Sequence, residues 1–304
     1  MSELKSEITV SIIIVSFNKP DLLKKTIKSI LENVKNLIYE IIVFDNASFE
    51  DNVQIIKSQF HQVKIIENSL NLGFARACNQ ASKAAKGKFL LFVNSDILLS
   101  GNPINKMTVV LENNDSFGLL GASLMNEDGT AQPSFYGYPK LSKRFIELFD
   151  LKDVLLKFRN KKSPNINQIK KVDIVKGAFL LVRRSLFLKL NGFDEDYFMY
   201  VEDADLSLRV AKLGLQNVVI NTGNIYHLGE HHESPSHRFV FYYRNKGLIQ
   251  FYKKNCNRIK YYIFIFMNLF FFKLKYYLSK SQENIYLKNN YRIISKLYLK
   301  YSKI

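Results

Sequence analysis

The sequence is short of what several function classes require. It holds two cysteines, Cys78 and Cys256, too few for a disulfide framework or a cysteine metal quartet. Two thiols, buried or incidental, in a reducing cytoplasm are expected. No G-x-G-x-x-G or G-x-x-x-x-G-K-[ST] run occurs, so neither a Rossmann dinucleotide site nor a P-loop is supported. The opening MSELKSEITV has no basic stretch ahead of an apolar one, so no secretory signal is expected. The most hydrophobic stretch, Ile259–Leu278, has an uncharged interior of about twelve residues, Tyr261–Phe272, short of the roughly 20 that a spanning helix needs. Acidic residues nearly vanish from the C-terminal end. From Lys253 onward twelve Lys/Arg face one acid, Glu283, which accounts for about two thirds of the net charge of +17.

What is present is globular. A chain of 304 residues with 47% hydrophobic and 23% charged residues can bury a sizeable core, as one large domain or one domain plus an appendage. Ile8–Phe17 is a β-branched run that predicts a buried strand. Pro20 suits the first turn of a helix whose apolar stripe is Leu23, Ile27, Ile30 and Leu31. Further strands are predicted over Tyr39–Phe44, Val63–Glu67, Lys88–Val93 and Phe117–Met125, and helices over Phe49–Phe60, Gly73–Lys86 and Pro103–Asn113. Such alternation implies βαβ units and an α/β fold with a mostly parallel sheet covered on both faces.

In parallel sheets ligands bind at the carboxyl ends of the strands. The polar strand ends are Ser16-Phe17-Asn18, Asp45-Asn46, Asn71-Leu72-Gly73 and Asn94-Ser95-Asp96, all expected on one rim. Taken singly, each is also an ordinary turn former. For a nucleotide ligand, Asp45 could accept a hydrogen bond from a pyrimidine N3–H. Asp96 is a hard oxygen donor suited to Mg²⁺ or Mn²⁺ bridging a diphosphate, or else a helix cap.

Farther on, Tyr197–Gly214 packs Glu202, Asp203 and Asp205 into four positions at a helix start. Acids in a first turn offset the helix dipole, and Asp205 stands i, i+4 from Arg209. At about 100° per residue, Glu202, Asp205 and Arg209 share a face on which Asp205 pairs outward with Arg209, while Asp203 opens the apolar stripe of Leu206, Val210 and Leu213. An acid that opens a buried stripe is either a cap or a functional group, which makes Asp203 a candidate catalytic base and Glu202 a candidate to hold the acceptor or orient that base. Four of five histidines lie in His227–His237. A zinc site there lacks a cysteine partner or an H-E-x-x-H helix.

Taken in order, SIIIVSFN, IIVFDNAS, NLGFARACN, FLLFVNSD, KGAFLLVRR, GFDEDYFMYVEDADLSLR and IYH resemble an inverting glycosyltransferase of family 2. The similarity is to the rhamnosyltransferase-like members that build bacterial surface polysaccharide, over roughly residues 8–230. It implies a GT-A fold, a UDP- or dTDP-linked sugar donor, and Mn²⁺ or Mg²⁺. On the same ground Asp45 contacts the donor base, with Ser16 and Asn18 lining its pocket. Phe17, Asn71, Gly73, Asn94 and Ser95 are the other rim candidates for the nucleotide-sugar. Asp96 is the metal residue of a DxD-type motif, His227 completes the metal site, and Asp203 is the general base. Asn94 replaces the first Asp of that motif, one anionic ligand fewer.

The expected organisation is a catalytic domain over 1–235, with an insert over about 126–172, and a helical region over 236–304. The insert breaks the alternation, reads as a lid or acceptor loop, and has room for a helix within Leu141–Phe158. Helices are predicted over Arg238–Lys254, Ile259–Leu278 and Glu283–Tyr301. For Ile259–Leu278 three uses fit: an interfacial anchor, a buried core or homodimer helix, and a span, with length favouring the first. An anionic membrane surface then becomes a partner and the cytoplasmic face of the cell membrane the expected location. By the resemblance, the acceptor is a polyprenyl-diphosphate-linked glycan. The rival reading is a protein without catalysis that binds nucleic acid or membrane through its basic tail. The apolar block counts against nucleic acid, whose groove would not bury it.

Overall fold

A computed structural model describes residues 7–149, 169–223, 225–229, 237–279 and 285–303. The chain divides into two compact units. The first comprises residues 1–137, 163–198 and 202–232; the second comprises 138–162, 199–201 and 233–304.

In the first unit the alternation is realised as β1 (Val10–Ser16), α1 (Pro20–Asn33), β2 (Tyr39–Asn46), α2 (Glu50–Gln59), β3 (Lys64–Asn68), α3 (Gly73–Lys83) and β4 (Phe89–Asn94). Then follow β5 (Ile97–Leu99), α4 (Pro103–Glu112), β6 (Phe117–Ala122), β7 (Leu124–Met125), β8 (Ala131–Gln132) and β9 (Phe135–Tyr136). Beyond the insert come β10 (Lys170–Val172), β11 (Ile174–Val175), β12 (Phe179–Arg183), α6 (Arg184–Lys189), α7 (Glu202–Lys212), β13 (Gln216–Ile220) and β14 (Ile225–His227); α5 (Leu141–Leu148) belongs to the second unit.

Eight strands form one sheet in the order β10-β13-β6-β12-β4-β1-β2-β3. β1 runs parallel to β2 and β4, and β2 parallel to β3, whereas β12 is antiparallel to both neighbours. Side-chain alternation sends Ile12, Ile14, Ile41, Val43, Leu91 and Val93 into one core. Ile13, Ile42, Phe44, Leu90 and Phe92 enter the other, with Ala75, Cys78 and Leu206 from the helices. Both faces are covered, which is why these strands read as unbroken apolar runs.

The run Phe117–Met125 is not one strand. β6 ends at Ala122, and the N–H of Ser123 donates to the Ile220 carbonyl at 2.9 Å as the chain leaves the main sheet. β7 then joins a second sheet of order β5-β14-β7-β8. Its register sets His227 opposite Ile97, and Leu124 opposite Gln132. Of the helix expected within Leu141–Phe158, the described part is α5, and residues 150–168 lie outside the described ones.

The second unit holds α5, α8 (His237–Asn255), α9 (Arg258–Leu278) and α10 (Ile285–Tyr301). Tyr252 stacks on Phe264 with centroids 4.0 Å apart, and Phe272 stacks on Tyr298 at 5.9 Å. Arg144 donates to Asn268 Oδ1 and Asn245 Oδ1, both at 2.8 Å, so the interior carries a satisfied polar network. Gly247 has no room for a Cβ, which would stand 2.7 Å from the Tyr200 carbonyl oxygen.

Candidate active site

Parallel pairing puts the ends of β1, β2 and β4 side by side. Ser16 is in register with Asp45, and Val15 with Asn94. Ser16 and Asp45 are buried, and with Pro20, Leu23, Val43 and Ser48 they line a cleft in which one carboxylate and two serines face apolar side chains. Asp45 Oδ2 accepts the Ser48 N–H at 3.0 Å. Asn18, at φ 51°, donates its backbone N–H to Ser48 Oγ at 2.9 Å and accepts the Phe49 N–H through Oδ1 at 3.0 Å. These bonds tie the β1 and β2 ends together. Phe17 stands 47% exposed beside them.

Asn71 and Gly73 are set by Asn46. Its Nδ2 donates to Asn71 Oδ1 at 2.9 Å, and its Oδ1 accepts the Leu72 N–H at 2.8 Å. Gly73 has φ +78°, and a Cβ there would stand 2.1 Å from the Phe198 carbonyl oxygen, so only glycine fits. The Phe74 N–H donates to that same oxygen at 2.7 Å. Gly73 thereby carries the strand rim into contact with the segment that precedes the acidic helix.

Asn94, Ser95 and Asp96 follow β4, with the Ser95 carbonyl accepting from Thr26 Oγ1 of α1 at 2.8 Å. Asp96 Oδ1 is buried and has no hydrogen-bond partner. It stands 3.3 Å from His227 Nε2, which also lies 3.3 Å from Asn94 Nδ2. The Gln132 amide decides the histidine tautomer. Its Nε2 donates to Asn126 Oδ1 at 2.9 Å and to the His227 carbonyl at 3.1 Å. Its Oε1 accepts from Lys176 Nζ at 3.1 Å and faces His227 Nδ1 at 2.5 Å. Flipping the amide would set its oxygen against a carbonyl and its NH₂ against a lysine. Nδ1 therefore donates to Gln132 Oε1, with Lys176 Nζ also 3.4 Å from Nδ1, and Nε2 faces Asp96 and Asn94.

An unprotonated Nε2 and a carboxylate oxygen at 3.3 Å would suit a cation between them. Adjacent ligands of an octahedral Mg²⁺ stand about 3 Å apart. Among the described residues no cluster of three His, Cys, Asp or Glu forms. His231 and His232 lie outside the described residues.

The acidic helix differs from its expected phase. Glu202 and Asp205 are the buried acids, at 6% and 3% exposure, Asp203 is half-buried, and Leu213 is 44% exposed. The face expected to meet solvent is covered by the Leu190–Gly192 turn. Arg209 pairs with Asp205 at 2.7 Å and donates to the Leu190 and Gly192 carbonyls at 2.8 and 2.9 Å. Leu213 lies past the helix end at Lys212, so the helical period does not reach it.

Asp203 Oδ2 accepts the Gly177 N–H at 3.1 Å and Oδ1 the Ala204 N–H at 2.8 Å. Burial raises the Asp203 carboxyl above its usual range, against the pull of those two N–H groups and of Lys176. Glu202, buried with Oε2 unpartnered, is pushed up to about 8 by burial and then by Asp203. At neutral pH Glu202 therefore holds its proton, while the two N–H donors on Asp203 favour its charged form against the burial that opposes it.

Lys176-Gly177-Ala178 links the two halves. The Ala178 carbonyl accepts the Asn94 N–H at 3.0 Å, Gly177 binds Asp203, and Lys176 reaches Gln132. Sequence reading assigned no role to Gln132 or Lys176. Gln132 sits on a two-residue strand with no periodicity to mark it, and Lys176 was visible only as the polar start of an apolar run.

A family model described as Glycosyl transferase family 2 matches residues 11–190. Rhamnosyltransferase WbbL of Escherichia coli is 30% identical over 238 residues, 75% of this chain and 86% of that one. The N-acetylglucosaminyl-diphospho-decaprenol L-rhamnosyltransferase of Mycobacterium tuberculosis is 27% identical over 210 residues, 63% and 67% of the two chains. Among solved structures, GalNAc-T7 with UDP, GalNAc and Mn²⁺ superposes with a TM-score of 0.59 at 14% identity. That alignment covers 97% of this chain, which spans 56% of the GalNAc-T7 chain. At that identity the likeness shows the fold, a GT-A-like α/β architecture with additional C-terminal helices.

Proposed function

The chain belongs to glycosyltransferase family 2, as a rhamnosyltransferase-like member, and on that premise we propose a specific transfer for it. It moves rhamnose or another hexose from a UDP- or dTDP-linked donor to a hydroxyl of a cell-surface glycan precursor, one linked to a polyprenyl diphosphate. The carrying observation is Asp203, half-buried and held by the Gly177 N–H beside the rim that bears Asp45 and Asp96.

The reaction is a single displacement. The acceptor hydroxyl oxygen attacks the anomeric carbon as its proton passes to the Asp203 carboxylate, and the sugar–phosphate bond breaks with its electron pair leaving on the diphosphate. The anomeric centre is inverted. Glu202, protonated beside Asp203, keeps a second negative charge out of the site and leaves one carboxylate as base. Asp45 and Ser16 hold the donor base, with Asn18 and Asn46 fixing the loops around them. Asp96 and His227 are the residues to hold Mn²⁺ or Mg²⁺, which when bound supplies charge neutralisation to the departing diphosphate.

Residues 1–235 then make the catalytic domain and 236–304 a membrane-associating region at the inner face of the cell membrane. The printed name of the mycobacterial relative, with its diphospho-decaprenol acceptor, supports the lipid-linked acceptor. The test is a panel of nucleotide sugars assayed for donor hydrolysis with and without Mn²⁺. Hydrolysis of a UDP- or dTDP-sugar that EDTA suppresses is expected; no turnover of any nucleotide sugar would contradict the proposal.

A further inference from the structure

Helix α9 is apolar on both sides. Phe264, Ile265, Asn268 and Phe272 are buried against α8 and α10. On the opposite side Ile259, Ile263, Phe266, Phe270, Leu274 and Tyr277 are 72, 49, 55, 63, 37 and 72% exposed. At about 100° per residue these six fall within an arc of about 80°, and at about 1.5 Å per residue they run for about 27 Å. A contiguous exposed apolar stripe of this length marks an interaction surface.

We propose that this stripe is the surface on which the protein lies on an anionic lipid leaflet, with α9 parallel to the membrane plane. Three observations select this occupant. The first is charge: residues 238–304 carry fifteen Lys/Arg and one acid, and Arg258, Lys260 and Lys273 are exposed beside the stripe. A second copy would bring the same positive field against itself, whereas anionic headgroups complement it. The second is shape. Nucleic acid would pair with the cations and leave the six apolar side chains in water, while a bilayer interface takes Phe, Ile and Leu into the acyl boundary and Tyr and Lys at the headgroups. The third is the inner face. Arg144 bonds to Asn268 on α9 as well as to Asn245 on α8 and Glu147 on α5, so withdrawing α9 into the bilayer would cost the guanidinium its Asn268 acceptor. No helix among the described residues is long and apolar enough to cross a membrane. The helix lies along the surface and offers one face.

The inference deepens the membrane location proposed above and rests on it, but its test needs neither donor nor acceptor. The chain has no tryptophan, so Phe266→Trp introduces a single indole on the stripe without touching the packed face. The full-length variant is titrated with phosphatidylglycerol vesicles and with phosphatidylcholine vesicles, each with and without brominated acyl chains. The expected result is a blue shift and bromine quenching on the anionic vesicles, with binding at least about tenfold weaker on neutral vesicles or in about 0.5 M salt. Phe266→Ser with Phe270→Ser should lower anionic-vesicle binding at least about tenfold while leaving the melting temperature within a few degrees. Four results would each overturn the proposal: no vesicle binding, binding without quenching, full binding by the double serine variant, or a blue shift that follows protein self-association or DNA instead of lipid. Loss of nucleotide-sugar turnover with vesicle binding intact would overturn the catalytic reading alone.

Discussion

Gln132 Oε1 stands 2.5 Å from His227 Nδ1, and the other contacts of the amide allow no other orientation. Gln132 is therefore a positioning residue for His227, turning Nε2 toward Asp96. Replacing it with Leu keeps the bulk and removes the acceptor. Gln132→Leu should weaken Mn²⁺ binding in the presence of nucleoside diphosphate by about 10–100-fold. It should also let the His227 ring populate the other tautomer, read from ¹⁵N shifts in metal-free protein. An unchanged tautomer and unchanged Mn²⁺ affinity would show that the amide has no hold on the ring.

Glu202 gives a pH-dependent stability. Its carboxyl is raised from 4.5 to about 8 in the fold, first by burial and then by Asp203. The unfolded chain loses this proton as pH rises past about 4.5, while the folded chain keeps it until about 8. Over that window the unfolded state binds fewer protons, so stability falls with rising pH and the loss is complete above about 8. Glu202→Gln removes the titration. Its melting temperature relative to the parent should be several degrees higher at pH 8.5 than the same comparison at pH 4.5. A difference independent of pH would mean that Glu202 ionises as an ordinary carboxylate.

The sheet and its rim were legible because the strands are buried on both faces. Val10–Ser16, apart from Ser11, and Phe89–Asn94 are apolar runs that end in polar residues, so run and stop signal are both written locally. The second sheet was not legible in this way. β7, β8 and β14 are two or three residues long, too short for a period of two to register, and β7 was merged with β6. Gln132 carries no sequence signal for that reason, whereas His227 stands at the end of the IYH motif. In the acidic helix, phase puts Asp203 on the buried stripe and Glu202 with Asp205 on the other face, whereas Glu202 and Asp205 are the buried acids. An ion pair at i, i+4 looks the same in sequence whether water or the Gly192 turn covers it.

That covered pair carries its own prediction. Asp205 is 3% exposed, and Arg209 is its charge partner and the clamp on the Leu190 and Gly192 carbonyls. Arg209→Leu should lower the unfolding free energy by about 3–5 kcal/mol, because a buried carboxylate loses its counter-ion. Asp205→Asn added to Arg209→Leu should recover part of that loss in chemical denaturation. A cost below about 1 kcal/mol for Arg209→Leu would show the pair to be as weak as a surface one.

Gly73 tests the close approach on the rim. Its φ of +78° and the 2.1 Å between a built Cβ and the Phe198 carbonyl oxygen leave no room for alanine. Gly73→Ala should destabilise the protein by about 1–3 kcal/mol and weaken nucleotide binding through the displaced rim. Unaltered thermal stability and unaltered nucleotide affinity would contradict the packing role.

The most direct measurement is the transfer rate of Asp203→Asn, made alongside its affinity for the nucleoside diphosphate. The asparagine is isosteric and can still accept from the Gly177 N–H, but it cannot take the acceptor's proton. Transfer should fall by at least about 10²–10⁴-fold, while nucleotide affinity stays within about twofold. Turnover equal to that of the parent would remove Asp203 from the role of base.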